Sequence, residues 1–207
     1  MISVDLAGKL ITLEGLDFTG KSTLLGHLKL FAREKGYDVL STREPGGTPV
    51  GERVRKLLLT RQHEEMLPLS ELLLFMVSRA QHTHEVILPA LRAGKTVLTS
   101  RYRLSSMAYQ GYGRGIDLEL IRSLNDAATE GHEADLTFLI DVPVDVALSR
   151  KRGEGDRIEK EDHAFYQRVR EGYLEMAEAD RRVYVVDGTG TIEEVFTQIA
   201  DRLDPAF

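Results

Sequence analysis

Residues 10–23 read LITLEGLDFTGKST. The apolar run at 10–13 has the make-up of a buried strand, residues 15–22 (GLDFTGKS) satisfy G-x-x-x-x-G-K-[ST], and residues 23–35 continue as a helix-compatible segment. A strand, a glycine loop and a helix in that order are the context a phosphate-binding loop needs. Backbone N–H groups can wrap a phosphate only where a missing Cβ lets them approach, which Gly15 and Gly20 permit. Lys21 can then reach the terminal phosphates, the Ser22 hydroxyl can join a Mg²⁺ shell, and the helix that follows turns its positive end to the anion. The stretch predicts ATP with Mg²⁺, held by Gly15, Leu16, Asp17, Phe18, Thr19, Gly20, Lys21, Ser22 and Thr23.

Working outward, alternation decides the fold class. Residues 38–42, 96–100, 136–141 and 183–187 are further β-compatible runs, each separated from the next by helical pattern. Five such runs predict an α/β fold of right-handed βαβ units, with a parallel sheet covered on both faces and ligands at the carboxyl ends of its strands. Residues 43–49 (REPGGTP) form a loop where the second strand would end, and Val50, Val54, Leu57 and Leu58 mark a short helix after it. Residues 69–91 are the longest helical candidate, with a wide apolar surface, and Pro89 is expected to bend or end it. That surface suits burial inside the domain or against a second copy of the chain; a homodimer is the expectation. Residues 104–115 suggest a helix turn running into a mobile glycine-rich loop, and residues 153–159 an exposed flap. His82 and His84, at i,i+2, do not face one another on a helix and suggest a surface or interface role rather than a metal pair.

The chain has 207 residues, which favours a single domain over 1–207, and a formal charge of −6, which argues against an electrostatically driven nucleic-acid partner. It lacks cysteine, so disulfides and thiolate metal sites are excluded and a cytoplasmic location fits. Apolar runs fall short of the about 20 residues of a membrane span, and the N-terminus, with Asp5 before its first lysine, does not resemble a signal peptide. Arginines clustered near a phosphate loop instead suggest a small polyanion such as a nucleotide.

Four further stretches narrow the acceptor. Thr42-Arg43-Glu44-Pro45-Gly46-Gly47, Phe75-x-x-x-Arg79, Arg101-Tyr102 with Ser106 and Tyr109-Gln110-Gly111, and Asp156-Arg157-Ile158-Glu159 occur in the order seen in bacterial thymidylate kinases, which the chain resembles from residue 9 to its C-terminal helix. The resemblance implies a P-loop nucleoside monophosphate kinase fold with a five-stranded parallel sheet and a short lid at about 150–160, and ATP-dependent phosphorylation of dTMP to dTDP. It implies that Phe75 stacks on thymine, that Arg79, Ser106 and Gln110 contact the base, and that Tyr109 lies under the deoxyribose. The i,i+4 spacing of Phe75 and Arg79 also fits a core aromatic beside a salt-bridged arginine. Arg55 and Arg101 match arginines that hold the acceptor phosphate, and Asp17 and Glu44 match acids near the sugar and the water around the metal.

Some members of this family carry a catalytic arginine where this chain has Phe18; others carry arginines in the lid. Phe18 cannot stabilise charge, so the resemblance assigns catalysis to Lys21, Arg101 and the lid arginines Arg150, Arg152 and Arg157. One departure stands out. The family places Asp immediately before the Arg-Tyr pair and this chain has Ser100, which removes a charge from the surroundings of the metal and is expected to slow turnover.

Overall fold

The apolar runs pair side by side. The computed structural model describes residues 4–204. Strands β1 (Leu10–Glu14), β2 (Val39–Arg43), β3 (Thr96–Ser100), β4 (Leu136–Asp141) and β5 (Val183–Asp187) form one parallel sheet in the order β2-β3-β1-β4-β5. Side chains alternate across it. Ile11 and Leu98, partners in register, face α1 (Lys21–Glu34), while Leu10 and Val97, also partners, face Ile87 and Ala90 of the long helical segment that precedes β3. Helices therefore cover both faces, as the alternation predicted. The chain runs from β1 outward in both directions, so the crevice at the carboxyl end of β1 is the topological switch point where such sheets bind ligands.

Local chemistry sets the ends of the helices. Thr48 caps α2 (Pro49–Leu59), its hydroxyl accepting from Gly51 N at 3.0 Å, with Pro49 in the first turn. Asp162 caps α8 (His163–Ala179) through Phe165 N at 2.7 Å, and Thr191 with Glu194 forms a capping box for α9 (Ile192–Leu203).

Two segments depart from expectation. The long helix neither ends nor breaks at Pro89: α3 (Pro68–His82) continues through a π-helical turn at Thr83–Ile87 into α4 (Leu88–Arg92). Proline offers no N–H to the preceding turn and crowds its carbonyl, and the widened turn accommodates both effects. Residues 104–115 are not a mobile loop. The chain is helical in α5 (Arg103–Ser106), then π-helical over Met107–Gly113, where Tyr109 and Gln110 are buried. Gly111 lets this segment pack closely on the start of α6 (Leu118–Thr129), where a Cβ would crowd the Leu118 side chain.

The flap is partly docked. After α7 (Val144–Ser149), Arg61 Nε donates to Gly155 O at 2.8 Å, and Arg157 N and Nε donate to Leu59 O and Leu58 O at 3.2 and 2.9 Å. Arg157 and Ile158 are buried, so the lid leans on the C-terminal end of α2.

Candidate active site

Beyond β1 the backbone turns sharply. Gly15 has φ 133°, and a Cβ on it would lie 2.5 Å from Ile140 O of β4, so glycine is required for the loop to pass the sheet. Phe18 also adopts a left-handed conformation (φ 66°), which a side chain disfavours, and Gly20 (φ 84°) forms the N-terminal cap of α1. Lys21 Nζ folds into the loop, donating to Gly15 O at 3.2 Å, to Thr19 Oγ1 at 3.3 Å and to Leu16 O. Burial, with the charge of Arg101 beside it, pushes the Lys21 ammonium down to about 7.

This value has a measurable consequence. The unfolded lysine keeps its ordinary 10.5, so between about 7 and 10.5 the folded chain binds fewer protons and Lys21 makes stability rise with pH. Polyphosphate beside Lys21 favours its charged form. ATP binding at pH 8.5 is therefore expected to take up to about one proton per site, seen by calorimetry in two buffers of different ionisation enthalpy. Lys21→Met should abolish the buffer dependence; a wild-type enthalpy independent of buffer would contradict the assignment.

A cavity of about 440 Å³ opens from this loop toward α3 and the lid. It is lined by Asp17, Phe18, Thr19, Gly20, Lys21, Ser22 and Thr23 of the loop and by Glu44, Arg55, Phe75, Arg79, Arg101, Ser106, Tyr109 and Gln110. Gly15 and Leu16 lie beneath, supplying carbonyls to Lys21. Its size and its few convergent polar groups suit a nucleotide-sized ligand.

Arg101 sits at the centre. Its backbone is left-handed (φ 69°), an unusual state for arginine, and its neighbours pin it: Arg101 N donates to Leu13 O at 2.9 Å, and Tyr102 N donates to Glu14 Oε1 at 2.8 Å. The buried Glu14 also accepts from Ser105 Oγ at 2.5 Å and Tyr173 Oη at 3.0 Å. The guanidinium donates to Asp17 Oδ1 at 2.5 Å, Gly15 O at 3.1 Å and Tyr109 Oη at 3.1 Å, and stacks over the Tyr109 ring. Burial works to raise the Asp17 pKa, but Arg101 and Lys21 outweigh it and hold the carboxyl below its ordinary value. Arg55, on α2, donates to Pro45 O at 2.9 Å, and burial beside Arg43 lowers its pKa.

The far wall is built around Arg79, which is 1% exposed. Arg79 Nε donates to Glu44 Oε2 at 2.7 Å, Nη1 to Ser106 Oγ at 2.9 Å and Asn125 Oδ1 at 2.7 Å, and Nη2 to Tyr102 O at 2.8 Å. These contacts leave one Nη2 proton for a ligand. Phe75, one turn earlier, is half-buried against the core and lines the same cavity. Gln110 Nε2 donates to Glu71 Oε1 at 2.9 Å.

The lid arginines are placed differently from expectation, and none of the three lines the cavity. Arg157 forms a buried ion pair with Glu71 at 2.7 Å. Arg150 donates to Gly188 O and Thr189 O at 3.1 and 3.2 Å. Arg152 is exposed. The lid instead brings Asp156, Ile158 and Glu159 to the cavity. Burial, and then Asp17 for Asp156 and Asp156 for Glu159, raises the pKa of both carboxyls.

His82 is likewise not at the surface: it is fully buried against Glu44 and Thr42, whereas His84 is exposed. Sequence reasoning also missed Arg43, Ser105, Glu71, Asn125 and Tyr173. Glu71 carried a signal, since Glu71, Phe75 and Arg79 recur at i,i+4 on one face of α3. Asn125 and Tyr173 arrive from distant helices and carried none.

Among the described residues no group of three or more His, Asp or Glu side chains could hold a metal ion alone. Mg²⁺ commonly takes one or two protein oxygens with phosphates and water, and the exposed Ser22 hydroxyl at the start of α1 fits that pattern. Among the described residues, no helix is long and apolar enough to cross a membrane.

A five-stranded parallel sheet of this order, with a phosphate loop after β1 opening into a cavity walled by α3 and a short lid, defines a P-loop nucleoside monophosphate kinase fold. A family model described as thymidylate kinase matches residues 13–199. Thymidylate kinases of Carboxydothermus hydrogenoformans and Kosmotoga olearia are each 46% identical to the chain, covering 96% and 91% of it and 98% and 92% of themselves. The crystal structure of thymidylate kinase from Ehrlichia chaffeensis superposes with a TM-score of 0.79 at 35% identity, covering 95% of this chain and 98% of that one. The chain belongs to the thymidylate kinase family.

Proposed function

We propose that the chain transfers the terminal phosphoryl group of ATP to the phosphate of dTMP, giving dTDP. The observation that carries this reading is the buried guanidinium of Arg79, fixed by Glu44, Ser106 and Asn125 on the cavity wall that also holds Phe75, with Lys21 and the phosphate loop at the other end. A donor fixed beside an aromatic face suits a flat base with a carbonyl edge. The 4-carbonyl of thymine accepts from it; the 4-amino group of cytosine does not.

The acceptor phosphate oxygen is already ionised and needs no strong general base, so positioning and charge neutralisation dominate. Arg101, Arg55 and Arg43 all line the cavity, and this reading gives them the acceptor phosphate. Arg101 then exchanges part of its bonding with Asp17 for the phosphate, and Tyr109 under the sugar keeps its ring in place. Mg²⁺ would be held by Ser22 and the phosphates, with Asp17 touching its water shell, and supplies neutralisation of phosphate charge. Glu44 has both oxygens engaged by Arg79 and His82, so its part is to fix Arg79 rather than to order water at the metal. Arg152, exposed at the lid tip, is the lid arginine assigned to the transferred phosphoryl group; Arg150 and Arg157 anchor the lid. Leu69, Leu73 and Val77 form an exposed apolar stripe on α3 at i,i+4,i+8, which supports a homodimer.

A dTMP-dependent ADP-release assay tests this, run beside dUMP, dCMP and dGMP; dTMP is expected to be the preferred acceptor, and absence of dTMP turnover would overturn the reading. Ser100 favours a second outcome, a chain that binds both nucleotides but turns over slowly. It lines the cavity at the end of β3 beside Arg101. Ser100→Asp is expected to raise kcat for dTMP by about tenfold, a typical effect of restoring one electrostatic contact. Unchanged or lower turnover would remove Ser100 as the cause.

A further inference from the structure

His82 is a fully buried imidazole to which phosphoryl transfer assigns no task. Its partners are specific. Nδ1 lies 3.1 Å from Glu44 Oε1 and Nε2 lies 2.7 Å from Thr42 Oγ1. An ionised carboxylate can only accept, so Nδ1 carries the proton and donates to Glu44. Burial opposes ionisation of Glu44, yet Arg79 and His82 together hold its pKa below the ordinary value. The other Glu44 oxygen accepts from Arg79 Nε at 2.7 Å.

The backbone is shaped around this imidazole. Gly47 (φ 82°) passes so close that a Cβ on it would lie 2.5 Å from His82 Cδ2, and Gly46 N is held on α3 by Ser78 Oγ at 2.9 Å. A larger residue at either end would move the loop that carries Glu44. The links run from half-buried Thr42 at the end of β2 through the buried His82, Glu44 and Arg79 to the cavity wall.

We infer that His82 is a positioning residue for recognition of the acceptor base: it orients Glu44, and Glu44 holds the Nε edge of the Arg79 guanidinium, completing the set of bonds that fixes its plane. The inference rests on the proposal that this cavity takes dTMP. Glu44 rotates about its side-chain torsions unless both oxygens are held. With only Arg79 bonded, the Glu44 carboxylate can turn out of line with Nε, and the guanidinium, still tethered at Nη1 by Ser106 and Asn125 and at Nη2 by Tyr102 O, tilts about those bonds and re-aims the remaining Nη2 donor. Catalysis at the phosphates lies at the other end of the cavity, so the loss should fall on acceptor binding and base choice.

The test compares His82→Leu, which cannot donate to Glu44, with His82→Asn, whose side-chain amide can replace the Nδ1 donor. Steady-state kinetics are run with dTMP, dCMP and ATP varied in turn. His82→Leu is expected to raise KM for dTMP about tenfold or more and to reduce the preference for dTMP over dCMP, with kcat and the KM for ATP within about twofold. His82→Asn should recover most of the difference. A folded His82→Leu variant with unchanged KM for dTMP and unchanged base preference would overturn the inference, as would equal losses in kcat and in ATP affinity, which a general structural defect produces. If His82→Leu does not fold, Thr42→Val, which removes only the hydroxyl on Nε2, should raise KM for dTMP in the same direction about threefold; no change there would overturn it. Failure of the functional proposal is distinct, because the wild-type chain itself would then fail to phosphorylate dTMP.

Discussion

Arg101→Met is expected to lower kcat/KM for dTMP by about 10³-fold, the scale set by removing a preorganised charge from a site of developing charge. Arg101 ties the phosphate loop to the acceptor wall: its guanidinium touches Gly15 O, Asp17, Ser105 and Tyr109, and its strained backbone is held by Leu13 O and, through Tyr102 N, by Glu14. Substitution removes the cation from the place where acceptor phosphate and phosphate loop meet. It also leaves the Asp17 carboxylate beside Tyr109 and Lys21 without its main counter-charge. Steady-state kinetics with dTMP varied at saturating ATP separate the contributions. Equal falls in kcat and kcat/KM mean the contact is made in the transition state, and a rise in KM alone means it serves ground-state binding. Arg101→Lys should recover little, because a single ammonium does not reproduce the planar fork that reaches Gly15 O and Ser105 from Nη1 and Asp17 and Tyr109 from Nη2. A loss under about tenfold would sink this assignment.

The second large effect is on stability. Glu71 is 1% exposed, and its carboxylate takes Arg114 through two bonds at 3.2 and 3.1 Å, Gln110 at 2.9 Å and Arg157 at 2.7 Å. Glu71→Ala leaves the buried Arg157 guanidinium without an acid and Arg114 with Glu161 alone, and is expected to cost about 3–5 kcal/mol. For a chain of this size that lowers Tm by about 10 °C or more. Burial alone would raise the Glu71 pKa, but Arg114 and Gln110 outweigh it and hold it below the ordinary 4.5. The ion pairs therefore stabilise the fold fully above about 4.5 and are lost as pH falls through the lower folded value. The gap between wild type and Glu71→Ala should narrow on acidification in thermal melts. A Tm within about 2 °C of wild type at pH 7 would show the charges already exposed to water.

The same variant bears on the lid. Arg157 belongs to a short motif that, by resemblance, suggests a catalytic arginine. In the structure its side chain turns beneath Gln110 to Glu71, while its backbone and Nε hold the end of α2. It ties the lid to the wall of the acceptor pocket and to the helix that carries Arg55.

Much of the architecture was legible because it depends on local rules. Runs such as TVLTS and LTFLID are bounded by charge and turn residues, so the strands at 96–100 and 136–141 match their predicted bounds. Pro49 and Thr48 announce α2 in the same way. The π-turns were not legible. They accompany the fit of Pro89 into a continuing helix and of Gly111 against Leu118, and neither leaves a periodic mark. His82 was misplaced for a related reason: spacing along a helix says which residues share a face, but not that the face meets the β2–α2 loop.

By itself the sequence determined the phosphate loop, since only glycine at position 15 can pass Ile140 and only a lysine at 21 can curl back into the loop it follows. It also determined the parallel sheet and the face that carries Phe75 and Arg79, because helical and strand periods are properties of adjacent residues. Tertiary structure alone decided which charges meet. Arg101 bonds Asp17 across 84 positions, Arg79 meets Asn125 across 46, and Arg157 turns to Glu71 instead of the phosphates. A buried arginine must find an acid or a carbonyl wherever packing supplies one, and that choice belongs to the assembled core rather than to any stretch of chain.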